Sequence, residues 1–219
     1  MCKSRVLILV VFIAAVAVFL GACDSESNSD GNVKPTVNQT PKITAAPTVT
    51  NTPSPTPNIG NNVALYKKTQ VSSTVDESYL QWGWGQEFIN DGTLELSFTS
   101  AVKRNMDSPD VEEWIIIDLE KEYSIHLVIL YPRQDNGRGF PEDYQIDVSS
   151  DNETWETVYT KTEDKGSEDE DVDPREIELE AVSARYIRLL ATKLTDVPDT
   201  SDGYLLQMAE MEVYSFDEE

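Results

Sequence analysis

The stretch from Trp114 to Ser150 decides the fold. It contains three short runs, Trp114-Ile-Ile-Ile-Asp-Leu119, Ile125-His-Leu-Val-Ile-Leu-Tyr131 and Tyr144-Gln-Ile-Asp-Val148, with Gly, Pro, Asn and Asp between the second and third. Runs of this length with such punctuation are typical of antiparallel strands. The third run alternates apolar and polar residues, whereas the first two are apolar on both faces and are expected at the centre of a packed sandwich. The polar loop before the third run predicts a site carried on this scaffold.

The same pattern extends to both sides of this stretch. Turn residues separate further short runs that are rich in β-branched and aromatic side chains, and no segment shows a helical period of useful length. About eight such strands predict an all-β sandwich. The further runs are Val63–Val71, Trp155–Tyr159, Glu176–Leu179, Arg185–Ala191 and Ala209–Tyr214.

The N-terminus has the organisation of an export signal. Lys3 and Arg5 precede an apolar core, Val6–Leu20, that is short for a bilayer span. The following Leu-Gly-Ala-Cys23 resembles the lipobox of bacterial lipoproteins. The resemblance implies that residues 1–22 are a lipoprotein signal peptide and that Cys23 is lipidated, with palmitate among the acyl groups. The alternative is an ordinary secretory signal followed by a chance cysteine.

Residues 23–60 form the lipidated cysteine and a linker. The segment is rich in Thr, Pro, Asn and Ser and contains almost no large apolar residue. Because it cannot bury enough surface to fold, we expect a disordered spacer with polyproline II character. The folded domain is then residues 61–219. It contains no cysteine, since Cys2 and Cys23 are the two in the chain, so no disulfide is expected there.

The charge limits the class of partner. The chain carries 40 acidic and 17 basic residues, a formal net charge of −23. Nucleic acid is therefore not expected as a partner, because phosphate contacts need clustered Lys and Arg.

Seven motifs in one order point to a family. They are Asn62-Val-Ala-Leu65, Asp91-Gly92, Trp114–Leu119, Phe140–Asp151, Thr154-Trp155, Ala184–Leu189 and Ala209–Tyr214. In this order they resemble a coagulation factor V/VIII C-type (discoidin) domain, and they are most similar to bacterial members that serve as family-32 carbohydrate-binding modules. The resemblance implies a jelly-roll β-sandwich of the galactose-binding-like type, with ligands bound by loops at one end.

The resemblance also implies a ligand site. In family-32 modules an Arg at the position of Arg133 and a polar residue a few positions on bind sugar hydroxyls, and the fixed donors of guanidinium and amide groups suit this task. Asn136 or Arg138 is the second polar candidate. The alternative is that Arg133 pairs with Asp135 or Asp118 and only holds the loop. Tyr79, Trp82 and Tyr204 are the candidate aromatic platforms, whereas Trp84 is expected in the core.

One departure from the family concerns the nature of the sugar. The galactose binders use a histidine in the loop before the Trp114 strand, and here that loop offers Lys103 and Arg104. The single histidine, His126, lies in an apolar run and is expected in the sheet rather than at the ligand. Because of this departure, the resemblance does not imply galactose itself, and an acidic or charged sugar is an alternative ligand.

The family resemblance further implies a structural calcium ion at Asp91 and Glu210, with additional oxygens from Thr93 and Ser97. Calcium prefers several oxygen ligands on a tight loop, which Gly92 permits. The alternative is an Asx-turn in which Asp91 caps its own loop.

These observations favour a non-catalytic, lipid-anchored protein that displays a carbohydrate-binding module on the extracellular face of a bacterial membrane. We expect a monomer that binds a glycan or polysaccharide. The first alternative is an adhesion module for a protein or a lipid headgroup, for which Phe98 and Phe140 are the candidate membrane-inserting tips. The second alternative is a hydrolase, but no nucleophile–His arrangement or His/Cys metal cluster supports it.

Overall fold

Short strands dominate the part of the chain that the computed structural model describes, namely residues 58–104, 106–164, 172–197 and 203–217. Two helical turns accompany them, a four-residue helix α1 (Glu77–Leu80) and a 3-10 turn (Gln86–Phe88). The strands are β1 Asn61–Asn62, β2 Lys68–Val71, β3 Phe98–Thr99, β4 Lys103–Arg104, β5 Glu113–Tyr131, β6 Asp143–Ser149, β7 Glu156–Lys161, β8 Arg175–Lys193, β9 Thr195–Asp196, β10 Gly203–Leu205, β11 Gln207–Met208 and β12 Glu210–Ser215.

Two long antiparallel strands, β5 and β8, connect the two halves of the main sheet. The first half of β5 pairs with β2 and with the second half of β8, which continues to β6 and β7. The second half of β5 pairs with β12 and the first half of β8, and β12 pairs with β1. The register shifts between Asp118 and Tyr123, where Glu120 has a φ of 71°. Such a bulge bends the strand and increases its twist.

The two halves share one hydrophobic core. Side chains of both halves of β5 are buried in it, for example Ile117 and Val128, together with Ile187 of β8 and Val213 of β12. Phe140 and Tyr144 pack edge to face in the same core, with ring centres 5.6 Å apart. Burial of apolar area on this scale supplies the main driving force for folding.

The sequence predicts separate strands where the structure has continuous ones. The two runs Trp114–Leu119 and Ile125–Tyr131 are a single strand, β5, and the runs around Ile177 and Ile187 are both parts of β8. The reason is that a bulge interrupts the apolar pattern without ending the backbone pairing. In the residues that the structure describes, no helix is long and apolar enough to span a membrane.

Two small sheets lie beside the main sheet. In the first, β10 pairs with β4 and β9, and in the second, β11 pairs with β3. The β11–β3 pairing places Gln207 opposite Thr99. These pairings bring β10 and β11 next to β3 and β4, which come from a distant part of the sequence.

Candidate functional site

An arginine stacked on an aromatic ring forms the centre of the candidate site. Arg133 follows directly after the end of β5 and Pro132, and its guanidinium carbon lies 4.8 Å from the centre of the Trp84 ring. This distance is within the range of a cation–π interaction. The Arg133 side chain is only 16% exposed, so the surrounding residues restrict its movement.

The loop after Arg133 has a conformation that depends on glycine. The Gly137 N–H donates to the Arg133 carbonyl at 2.7 Å, and Gly137 and Gly139 both have positive φ angles. A Cβ atom on Gly139 would lie 2.7 Å from side-chain atoms of Leu205 and Gln207, so only glycine permits this close approach. The Gln207 N–H then donates to the Gly139 carbonyl at 2.7 Å, which fixes the loop against β11.

A short chain of hydrogen bonds holds the Arg133 guanidinium in one orientation. Its Nη1 donates to Gln207 Oε1 at 3.2 Å, and Gln207 Nε2 donates to Thr99 Oγ1 at 2.9 Å. Its Nη2 forms a short ion pair with Asp135. The predicted alternative, in which Arg133 pairs with Asp135, is therefore present, whereas Asp118 pairs with Arg185 at 2.8 Å. The ion pair does not remove Arg133 from the surface of the site, because Arg133 also lines two cavities.

The first cavity, here called the Trp82 cavity, has a volume of about 210 Å³. Trp82 and Trp84 supply aromatic surface, and the Trp82 side chain is 68% exposed. Gly83 between them has a φ of 85°, and a Cβ there would lie 2.5 Å from Leu96, so glycine allows Leu96 to approach the backbone. The lining residues are Trp82, Gly83, Trp84, Leu94, Glu95, Leu96, Ser97, Arg133, Gln134 and Asp135.

The second cavity, here called the Tyr79 cavity, shares Trp84 and Arg133 with the first and has a volume of about 370 Å³. Tyr79 lies on α1, whose N-cap Asp76 accepts the Ser78 N–H at 2.9 Å. Hydrogen bonds from Ser78 lower the pKa of the Asp76 carboxyl group. The lining residues are Val75, Tyr79, Trp84, Thr99, Val102, Arg104, Arg133, Leu205 and Gln207.

The structure brings some of the predicted ligand residues together and separates others. Tyr79, Trp82 and Arg133 line the cavities. Asn136 instead accepts the Arg138 N–H at 3.0 Å in a turn, and neither residue lines either cavity. Tyr204 packs against the core, because successive strand residues point to opposite faces and its neighbour Leu205 faces the Tyr79 cavity.

Three expectations for individual aromatic residues are wrong. Trp84 is half-buried and lines both cavities, so it is not a core residue. Phe98 and Phe140 are almost completely buried, so neither is a tip that could insert into a lipid surface. Phe98 and Phe140 lie next to loop segments. The sequence alone does not distinguish an aromatic residue that packs into the core from one that is exposed at a loop tip.

His126 lies in β5, as expected for a histidine of the sheet. Its ring stacks on Phe216 with ring centres 4.2 Å apart, and its Nε2 lies 3.1 Å from the Ile59 carbonyl oxygen. It lines neither of the two cavities.

The residues predicted to bind calcium lie in two places. The buried carboxylate of Glu210 accepts the N–H groups of Asp91 at 3.2 Å and Gly92 at 3.0 Å. Burial raises the pKa of Glu210 to about 8, and the nearby Asp91 carboxylate acts in the same direction. Asp91 Oδ1 accepts the N–H and the hydroxyl of Thr93 at 2.9 and 3.0 Å, as in the alternative Asx-turn. Ser97 is instead in the wall of the Trp82 cavity.

These groups meet only part of what a calcium site requires. Asp91, Thr93 and Glu210 offer oxygen atoms, which is the ligand type that calcium prefers. In the residues that the structure describes, no group of three or more His, Cys, Asp or Glu side chains could hold a metal ion. Backbone carbonyl groups would therefore have to supply the remaining ligands.

Several lining residues were not predicted as ligands from the sequence. Gln207 and Thr99 are separated by more than 100 residues and meet only through the β11–β3 pairing. Arg104 lies where the galactose binders have their histidine, but the family resemblance does not identify it as a ligand residue. Its position beside Lys103, at the histidine-bearing loop, is the sequence signal that identifies it.

Comparison with known proteins agrees with this architecture. The profile of the F5/8 type C domain family matches residues 68–210. This match covers more than half of the chain, so the protein belongs to the F5/8 type C domain family. No curated protein matches the chain in sequence.

The solved structures that resemble the protein include carbohydrate-binding modules. Chitosan-binding module 2 of a chitosanase/glucanase from Paenibacillus sp. IK-5, solved with chitotriose, is 28% identical, with a TM-score of 0.53 over 70% of this chain and 100% of that one. CBM32-3 of a family 31 glycoside hydrolase from Clostridium perfringens is 22% identical, with a TM-score of 0.56 over 72% of this chain and 96% of that one. A family 32 module from C. perfringens, solved with galactose, is 15% identical, with a TM-score of 0.51 over 68% and 93%. The last two support the fold alone.

Proposed function

We propose that the protein is a non-catalytic carbohydrate-binding module that binds a glycan or polysaccharide at the two cavities beside Arg133 and Trp84. The observation that carries this proposal is the combination of aromatic surface with a fixed guanidinium group. Sugars present an apolar face to aromatic rings and adjacent hydroxyls to planar donors, and Arg133 on Trp84 offers both. The chitotriose complex of the 28% identical module supports the same class of ligand.

The test is binding of the purified protein to an array of neutral and acidic glycans. We expect weak binding to individual sugars, because shallow sites bury little area and must order polar groups. Arg133→Ala should remove binding while circular dichroism shows an intact fold. An array without any ligand would contradict the proposal, and so would unchanged binding by Arg133→Ala. Turnover of glycoside or ester substrates that is lost on mutation of one acidic residue would contradict the non-catalytic part.

We further propose that Cys23 anchors the protein by its acyl chains to the extracellular face of a bacterial membrane, with residues 24–60 as a spacer. This part rests on the sequence, since residues 1–57 lie outside the described part of the chain. Several copies on one surface would compensate for weak individual affinity by avidity. Cys23→Ser should release the protein from the membrane fraction, and retention of the variant would contradict the anchor.

Calcium at Asp91 and Glu210 is also a proposal. It is supported by the burial of Glu210 beside a second carboxylate, since a cation there would offset their repulsion. With a folded pKa of about 8, above its ordinary value of 4.5, Glu210 contributes stability at low pH that is lost as the pH rises through 8.

The pH dependence of stability that Glu210 causes provides a test for calcium. In excess chelator the melting temperature should fall between about pH 5 and pH 9, and calcium should reduce this fall. Glu210→Gln should show a flatter profile and no response to calcium. A melting curve that calcium leaves unchanged at every pH would remove the calcium site.

A further inference from the structure

The two cavities beside Arg133 differ in charge. The Trp82 cavity is lined by two carboxylate side chains, Glu95 and Asp135, in addition to Arg133. Among the residues that the structure describes, the Tyr79 cavity is lined by two guanidinium side chains, Arg104 and Arg133, and by no carboxylate. The formal net charge of the whole chain is −23, so a cavity lined only by cations and neutral groups differs from the average surface.

An ion pair of the neighbouring residue Lys103 fixes the orientation of the strand that carries Arg104, β4. Lys103 forms an ion pair with Glu113, which is 1% exposed and also accepts the Ser73 hydroxyl at 2.8 Å. Because successive residues of a strand point to opposite faces, the inward direction of Lys103 turns Arg104 outward to the Tyr79 cavity. The register partner of Arg104 on β10 is Gly203, so β10 places no side chain directly opposite Arg104.

Arg133 borders the same cavity and belongs to the loop that follows β5. Its guanidinium plane is set by the Trp84 ring and by the hydrogen bond to Gln207. Two guanidinium groups that border one cavity favour a planar anion, because the planar guanidinium matches the geometry of a carboxylate. Arg133 uses two of its five N–H donors on Gln207 and Asp135 and adds its positive charge to the cavity wall. Hydroxyl groups alone do not need two cations.

The remaining walls of the cavity suit a sugar ring rather than a small free anion. Tyr79 is 54% exposed and presents an aromatic face, and Val75, Val102 and Leu205 provide apolar surface. Gln207 and Thr99 also line the cavity and offer amide and hydroxyl groups. The volume of about 370 Å³ is in the range of pockets for small ligands.

We propose that the Tyr79 cavity binds a carboxylate-bearing sugar of an acidic glycan, with Arg104 as the residue that selects the acidic ligand over its neutral counterpart. This inference rests on the proposed function, because it names the ligand class of the same site. Arg133 contacts both acidic and neutral ligands, whereas Arg104 acts on the carboxylate.

The experiment compares matched pairs of oligosaccharides on the purified protein. Each pair joins a uronate- or sialic acid-containing glycan with the same glycan after reduction of its carboxyl group, and sulfated counterparts form a third arm. Wild type should bind the carboxylate form at least about tenfold more tightly, as expected for a charge-assisted hydrogen bond. The preference should decrease with added salt because Arg104 is exposed.

Arg104→Gln should lose this preference, so that it binds the carboxylate form and the carboxyl-reduced form with affinities within about twofold of each other. Arg104→Lys keeps the charge without the planar fork and should have an intermediate preference. Arg185→Gln is the matched control, since it removes one arginine charge beside Asp118 at the bend of β5 and should keep the wild-type preference.

The outcomes separate this inference from the proposed function. Equal binding of the carboxylate and reduced forms by wild type would overturn the inference and leave the carbohydrate-binding function in place. An acidic preference that Arg104→Gln retains would overturn the role of Arg104, and a stronger preference for the sulfated forms would overturn the carboxylate assignment. Binding to no glycan would overturn the proposed function itself and the inference with it.

Discussion

In the part of the chain that the structure describes, two arginines stack on tryptophans, and the two pairs have different surroundings. Arg133 lies 4.8 Å from the Trp84 ring centre in the loop region, and Arg188 lies 4.3 Å from the Trp155 ring centre beside the main sheet. Each arginine also forms an ion pair with an aspartate, Asp135 and Asp147 respectively. The chemistry of the two groups is therefore nearly the same.

The difference lies in the aspartate and in the space around the arginine. The Asp147 side chain is 1% exposed and accepts hydrogen bonds from Arg188 at 2.9 Å, Gln145 at 2.9 Å and Thr157 at 2.7 Å. Asp135 has a side chain that is 59% exposed. Buried charges need such complete pairing, whereas an exposed partner adds little stability.

The cavities complete the contrast. Arg133 lines two of them, and Arg188 lines none of the cavities described above. Trp155 does border a polar depression with Ser149, Asp151 and Glu156, but Arg188 is not part of its wall. An arginine stacked on tryptophan is therefore not a ligand site by its chemistry alone. The two arginine side chains are similarly exposed, 16% for Arg133 and 20% for Arg188, so the position of Arg133 in the walls of two cavities is what distinguishes the pairs.

The largest expected effect concerns stability. Arg188→Ala should lower the free energy of unfolding by about 3–5 kcal/mol, because it leaves the buried Asp147 carboxylate without its cation. Chemical denaturation measures this loss, and any folded fraction should keep its affinity for glycan. A loss below about 1 kcal/mol would contradict the interpretation of this pair as a structural contact.

The second effect concerns binding. Arg133→Ala should weaken glycan binding by at least about a hundredfold, because the guanidinium group lines both cavities. Titration calorimetry with a glycan identified on the array measures it. If Arg133→Ala lost as much stability as Arg188→Ala, the two arginines would have the same structural role, and the proposed difference between the two pairs would be wrong.

The two tryptophans of the site are expected to differ in their effects on affinity and stability. Trp84→Ala should reduce both affinity and stability, because Trp84 is half-buried and supports Arg133. Trp82→Ala should reduce affinity by no more than about tenfold and leave the melting temperature nearly unchanged, because Trp82 is exposed. A larger loss of stability in Trp82→Ala than in Trp84→Ala would contradict this assignment.

The smallest effect is expected for Asp135→Asn. Because the Asp135 side chain is mostly exposed, removal of its charge should change the free energy of unfolding by less than about 1 kcal/mol. Asp147→Asn is the matched variant on the other pair and should be clearly less stable in the same denaturation experiment. Equal values for the two variants would show that burial does not separate the pairs.

The sequence predicts the fold well because the strands follow from local patterns. The alternation around Tyr144 and the apolar runs of β5 are visible within a few residues, and the family motifs supply their order. The bend at Glu120 is less visible, since it depends on how β5 pairs with β8.

The site is harder to predict because its contacts are not local. Arg133 is identified by its position after β5, but its neighbours Trp84 and Gln207 come from segments far away in the sequence. The opposite facing of Tyr204 and Leu205 depends on the register of β10 with β4 and β9. A shift of one residue would exchange the two side chains, so composition alone does not decide between them.

The pairing of β1 with β12 has a mechanical consequence. It brings Asn61 opposite Ser215, and Asn62 opposite Tyr214, so the two ends of the sandwich domain are neighbours. A pulling force applied between these ends would act first on this two-pair ladder and would open it one pair at a time. The tension would reach the long β5–β8 ladder only after the β1–β12 pairing had opened, so the domain would yield at its ends before the loop that carries Arg133 is strained.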